Sequence, residues 1–246
     1  MSSGTTRRPT PAPKPARRRA RRGSGEQLRA EIIAATKGLL AASADSDAVS
    51  IRAVADAVGV TSPSIYLHFA DKDALIEAVV VDVFAELDAA MVAAGAAVDP
   101  AEGPMSVLCA YGLAYVRFAV DHPEHYRVAT MAIYPQADDG AVSHLDQILA
   151  DSAFTHFMAV VSACMDAGVF AKGDPVPVTL ELWAAAHGIA ALMIAKPYLP
   201  WGDKEEFANG VLRSAALGRA VNDLMGGDMT APEVTAWLEN YPSKRR

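Results

Sequence analysis

An all-α fold is what this chain predicts, on three observations. Apolar residues recur at three- and four-residue spacing through nearly every segment between breaks. No alternating β-branched run is long enough to build a sheet, and glycines and prolines cut the 246 residues into pieces of helix length. At 52% apolar residues the chain can bury a core without disulfides; its mean hydropathy of +0.15 owes much to alanine and valine.

The first helix is predicted over Glu26–Ala42, where Leu28, Ile32, Ala35, Leu39 and Leu40 line one face. Ser50 caps a short helix, Ile51–Val58, stopped by Gly59, and Thr61 caps another from Ser62 to about Phe69, with Pro63 tolerated in its first turn. Asp71 caps a long helix, Lys72–Ala94, with Leu75, Val79, Val83, Leu87 and Met91 inward and a break from Gly95. Further helices are expected at 104–121, 123–133, 142–167, 178–195 and 204–224, with a short one at 231–240.

Charge divides the chain. Eight of the 22 Lys and Arg residues and none of the 29 acids fall in residues 1–25, which leaves a net −15 on the rest. Four prolines (Pro9, Pro11, Pro13, Pro15) exclude a helix there, so a disordered basic arm is expected. A basic arm on an acidic body points to a polyanionic partner, nucleic acid ahead of membrane. No membrane partner is expected, because the longest apolar run, Leu182–Ala195, contains His187 and falls short of the ~20 residues that cross a bilayer. Nor do the first residues have the apolar stretch of a secretory signal. Cys109 and Cys164 give neither a disulfide framework nor a zinc spacing, consistent with the cytoplasm.

Catalysis and cofactors are not expected. His122 and His125, with Asp138 and Asp139 nearby, resemble a metal grouping, but Pro123 at a helix start and a surface loop account for them without metal. The chain has no HExxH, no CxxC, no nucleophile elbow and no phosphate loop.

Residues 50–69, SIRAVADAVGVTSPSIYLHF, hold two short helices around Gly59, the pattern of a helix-turn-helix. Ile51, Val54, Ala55, Val58, Ile65 and Phe69 face inward, leaving Thr61, Ser62, Ser64, Tyr66 and His68 to project. Over residues 28–76 the chain resembles the DNA-binding domain of TetR-family transcriptional regulators. The match runs through Ile51-Arg52-Ala53-Val54-Ala55, Gly59-Val60-Thr61 and Ile65-Tyr66-Leu67-His68-Phe69, then Lys72 and Leu75-Ile76.

That resemblance makes Ser62, Ser64 and His68 candidates for base-edge or nearby backbone contacts, and Ser50, Arg52, Thr61, Tyr66 and Lys72 candidates for phosphate contacts. Lys72 opens a helix, an unfavourable place for a cation unless a phosphate offsets the helix dipole. Arg17, Arg18, Arg19, Arg21 and Arg22 of the arm would follow the DNA backbone or enter an adjacent minor groove. The implied organisation is a basic arm (1–25), a three-helix DNA-binding domain (26–72), a ligand-binding and dimerisation domain (73–225) and a tail (226–246).

Further along, His122-Pro123-Glu124-His125-Tyr126-Arg127 is similar to the family's helix-breaking proline with a following Tyr-Arg. Trp183-Ala-Ala-Ala-His187-Gly188 is similar to the Trp-x-x-x-His-Gly signature of one C-terminal ligand-domain subgroup. Trp183 and His187 share a helix face, and Gly188 would let another helix approach. They form either a pocket wall or dimer contact, or a packing motif around a satisfied buried histidine. Candidate pocket residues are Tyr111, Tyr115, Phe118, Phe154, Phe157, Met158, Met165, Trp183, His187 and Met193, although aromatics and methionines at helical spacing are more often core.

By resemblance the protein is expected to be a homodimer, its helices at 178–195 and 204–224 forming a four-helix bundle with the partner's. It would bind a near-palindromic double-stranded operator, as a repressor rather than an activator. A small apolar or amphipathic effector would shift the dimer to a state that releases DNA. The competing expectation is a helical ligand-binding or interaction protein without operator binding; the intact Tyr66–Lys72 run and the arm weigh against it.

Overall fold

The computed structural model describes residues 24–43, 49–130, 152–227 and 230–240. The arm with Arg17–Arg22, the Asp138–Asp139 pair and the expected helical stretches at 131–133 and 142–151 lie outside them. Among the described residues there are ten α-helices and no strand: α1 Ser24–Ser43, α2 Ile51–Val58, α3 Ser62–Tyr66, α4 Lys72–Ala96, α5 Pro104–Asp121, α6 Pro123–Thr130, α7 Ala153–Asp166, α8 Pro175–Ala195, α9 Lys204–Leu224 and α10 Ala231–Asn240.

Several ends are set as the caps dictate. Ser50 accepts the Ala53 N–H at 3.2 Å, and Asp71 accepts that of Ala74 at 2.8 Å. Gly59, at φ 79°, ends α2 in the left-handed conformation that a side chain would strain.

Four expectations are corrected. The second short helix stops at Tyr66 rather than Phe69, because the His68 and Phe69 N–H groups both turn back to the Ile65 carbonyl, at 2.9 and 3.1 Å. That turn lets Phe69 swing into the core, where it is buried beneath the Arg29 guanidinium, 5.0 Å from the ring centroid. Gly95 does not break the long helix. It is a packing position inside α4, where a Cβ would stand 2.4 Å from Tyr111 Cε2. The helix predicted from Val178 begins three residues earlier, with Asp174 capping it and Pro175 in its first turn. At 21 residues α8 is also long and apolar enough by composition to cross a membrane. Its Val178, Leu182, Ala186, Ile189 and Met193 are instead buried in the core of this same chain.

Two hydrophobic cores form. The first joins α1 to α3 with the start of α4, through Ile32, Leu40, Val54, Ile65, Leu75 and Val79. Fully burying one such side chain is worth about 1.5–3 kcal/mol, which holds the small module together. The second spans α5 and α7 to α9. Two helices belong to both. α4 gives Val79–Val83 to the first core and Leu87 and Met91 to the second; α6 gives Ala129 to the first and Tyr126 to the second.

Candidate nucleic-acid interface and buried polar joint

The helix-turn-helix presents one surface. Ser50, Arg52, Thr61, Pro63 and Tyr66 are exposed, while Ser62, Ser64, His68 and Lys72 are half-buried. Thr61 makes no cap bond to the backbone; its hydroxyl lies 3.0 Å from that of Ser64, so the two polar groups are paired at the edge of α3. Ser50 is committed in part to capping α2.

Tyr66 is 53% exposed and Leu67 85%. Leu67 is a candidate that sequence reasoning missed. The signal was present, since it is an apolar residue out of phase with the Ile65/Phe69 core face. A side chain there suits contact with a thymine methyl or sugar. An ideal Cβ on Gly25 would stand 4.0 Å from His68, which places the start of α1 beside this surface.

The module is tied to the rest of the protein through Lys37 on α1. Its ammonium donates to Asp82 at 2.8 Å and is 2.6 Å from Glu86, both on α4. Burial penalises that charge, yet the two carboxylates outweigh it and hold Lys37 above its ordinary pKa. His125 on α6 donates from Nε2 to the Lys37 carbonyl, at 3.1 Å. A single residue of α1 thus engages both helices shared by the two cores. His122 and His125 stack ring on ring, 5.8 Å apart.

Five of the sequence-predicted pocket residues belong to the second core, and Phe118 packs against it. Tyr111, Tyr115, Phe157, Met165 and Met193 are buried, Phe118, Phe154, Met158 and His187 are half-buried, and Trp183 is exposed along one edge. Four of them meet. The Trp183 indole N–H, which can only donate, gives its proton to the Tyr115 hydroxyl at 3.2 Å. Tyr115 lies 3.2 Å from both the Tyr126 hydroxyl and His187 Nδ1, and Tyr126 lies 2.7 Å from that same Nδ1. Only the Trp183 N–H has a fixed direction; a chain of donors from Trp183 through Tyr115 and Tyr126 to Nδ1 fits these distances with His187 neutral and its proton on Nε2. Burial pushes both tyrosine hydroxyls up in pKa and pushes His187 down. The histidine of the Trp-x-x-x-His-Gly run is therefore satisfied from within the chain, in a joint that fixes α6 to α5 and α8.

This joint has a pH signature. Above pH 6.5, the ordinary histidine value, the ring is neutral whether the chain is folded or not, so it adds no pH dependence. As pH falls through 6.5 the unfolded chain takes up a proton that the folded chain resists. Stability then declines until pH reaches the lowered folded value, where the loss stops growing. Urea midpoints measured from pH 7.5 to 5.5 should fall more steeply for the native chain than for His187→Gln. Parallel curves would place the ring outside this linkage.

A helix-turn-helix with its reading face exposed, capping an independent helical core, defines a DNA-binding transcriptional regulator rather than an enzyme. The comparisons make this particular. Residues 32–79 match the model for bacterial regulatory proteins of the tetR family, and residues 108–215 match that for a tetracyclin repressor-like C-terminal domain. The chain belongs to the TetR family.

It is similar to a protein of unknown function from Rhodococcus sp. RHA1, at 26% identity and a TM-score of 0.64 over 78% of this chain and 95% of that one. It is also similar to a TetR family transcription regulator from Marinobacter aquaeolei VT8, at 15% identity and a TM-score of 0.59 over 79% and 98%. RolR, solved in complex with resorcinol, matches at 18% identity and a TM-score of 0.56 over 81% and 96%. No curated protein matches the chain.

Proposed function

We propose that this protein is a cytoplasmic homodimeric repressor that binds a near-palindromic operator and is released from it by a small apolar or amphipathic ligand. The observation that carries the DNA reading is the surface formed by Thr61, Tyr66, Leu67 and Lys72 around a buried Ile65. Ser62, Ser64 and His68 would approach base edges, and Ser50, Arg52, Thr61, Tyr66 and Lys72 the phosphates. We assign residues 26–72 to the reading head and 73–225 to sensing and dimerisation, with 226–246 as a tail. Hydroxyl groups discriminate bases weakly, so DNA shape would supply part of the sequence choice.

Dimerisation follows from apolar faces that the protomer leaves open. α8 turns Leu180, Trp183 and Leu192 outward, and α9 turns Phe207, Val211, Leu217 and Val221. Gly188, Gly210 and Gly218 all have open space where a Cβ would go. Among the described residues the close approach expected at Gly188 is thus not made, and a second copy is the partner that would make it.

The effector would act on the second core, and the Trp183–Tyr115–Tyr126–His187 joint would pass its effect to α6 and so to Lys37. The ligand must favour the released state over the DNA-competent one, because equal affinity shifts nothing. A ring-sized phenol of the kind RolR takes is a natural first trial.

Selection of bound sites from random duplex DNA tests the reading. A two-fold motif is the expected result; no enriched sequence at low salt would favour a helical binding protein without an operator. The arm has its own test. If it neutralises three phosphates, deleting residues 1–22 should weaken binding to the selected duplex. The slope of log affinity against log salt should then flatten by about 2.7. An unchanged slope would remove the arm from the interface.

A further inference from the structure

Beside the α9 face proposed for a second copy, with which it shares Leu217, the described residues form a cleft of about 330 Å³ between α5 and α9. This is within the size range of small-molecule sites, ~300–1,000 Å³. The two helices pack so that Gly112 meets Leu212 and Arg117 meets Glu205. The close approach at Gly112, where a Cβ would come within 3.1 Å of Leu212, leaves the cleft open on the Cys109 side.

Its walls combine two chemistries. Met105, Ala110, Leu113 and Leu217 are apolar, and Cys109 leads on into a small apolar crevice walled by Phe157, Leu182 and Leu212. Arg213, Asn209 and Ser106 supply polar groups at the rim, with Glu102 the acid among them.

Arg213 stands apart from the other arginines of this domain. Arg117, Arg127 and Arg219 each pair with a carboxylate. Among the described residues Arg213 has no such partner, Glu102 included. Its charge does reach into the cleft, because it opposes the upward push that burial gives the Cys109 thiol. A guanidinium with no counter-ion beside an apolar trough suits a carboxylate head on an apolar tail.

We propose that the cleft between α5 and α9 binds an amphipathic carboxylate, its head on Arg213 and Asn209 and its tail along Leu113 and Cys109. The site is separate from the aromatic core to which the effector reading above assigns the ligand, and it concerns binding alone.

Cys109 supplies the readout. It is half-buried in the cleft, while Cys164 is fully buried, its thiol pushed up to about 11. The full chain is treated with N-ethylmaleimide, and modification of Cys109 is followed by mass spectrometry against octanoate and, separately, octanol. Octanoate should slow the modification saturably. Octanol should need at least tenfold higher concentration, and in Arg213→Gln the octanoate midpoint should rise at least tenfold to meet that of octanol. Arg213 is exposed, so this substitution leaves the fold intact. Equal protection by octanol, unchanged protection in Arg213→Gln, or no protection by octanoate would overturn the proposal. A protein that takes octanoate and still keeps its operator leaves this site standing, and so separates it from the effector reading.

Discussion

Replacing Tyr66 and Lys72 together with alanine should lower affinity for the selected operator at least about 100-fold while leaving the melting temperature nearly unchanged. Tyr66 is mostly exposed and Lys72 sits half-buried in the first turn of α4; neither belongs to the two hydrophobic cores. Removing a cation from a helix N-terminus is neutral or slightly stabilising for the protein alone. A hydrogen bond to a charged group is worth about 1.5–3 kcal/mol, and a two-fold complex loses every such contact twice. At ~1.4 kcal/mol per factor of ten, even the smaller figure exceeds 100-fold. Loss of Lys72 from both protomers should also reduce the salt slope by about 1.8. Titrations at several salt concentrations check both numbers. Full affinity with an unchanged slope would move the DNA contacts elsewhere.

If the proposed dimer forms through α8 and α9, Gly188→Glu should convert it to monomers at micromolar concentration and abolish operator binding with it. Among the described residues a side chain at this position meets nothing within 4 Å, so they give no reason for a glycine. Glycine within a helix costs about 1 kcal/mol relative to alanine, so an unexplained one in the middle of α8 marks an approach from outside the chain. A glutamate there would both hold a partner helix away and bury a charge against the apolar faces of α8 and α9. Sedimentation velocity reads the association state, and far-ultraviolet circular dichroism shows whether the protomer stays folded. A variant that remains dimeric would place the interface on another face. Gly210→Glu and Gly218→Glu test the α9 side of the same surface.

Much of the fold was legible before any coordinates, for reasons visible in particular residues. Ser50, Asp71 and Gly59 mark helix ends because capping is a local exchange between a side chain or a left-handed turn and backbone groups a few residues away. The Tyr66–Lys72 run carries the family in a form that periodicity alone would not reveal. Where the reading erred, the deciding contact was distant. Gly95 looked like a terminator and is instead the place where Tyr111 packs against α4. Phe69 looked like the end of a recognition helix, but core burial pulled it out of helical register. Leu67 was passed over because exposure cannot be read from hydrophobicity.

By itself, then, the sequence determined the helical class, most helix boundaries and the helix-turn-helix run, since all of these rest on interactions spanning a few positions. Only the tertiary structure decided that His187 is held by two tyrosines from other helices, and that Lys37 binds the reading head to α4 and α6. It also decided that Arg213 overlooks a cleft and, among the described residues, pairs with no carboxylate. Those arrangements bring together groups as many as 115 residues apart, from Glu102 to Leu217, and no pattern along the chain encodes which distant helix faces will pack against one another.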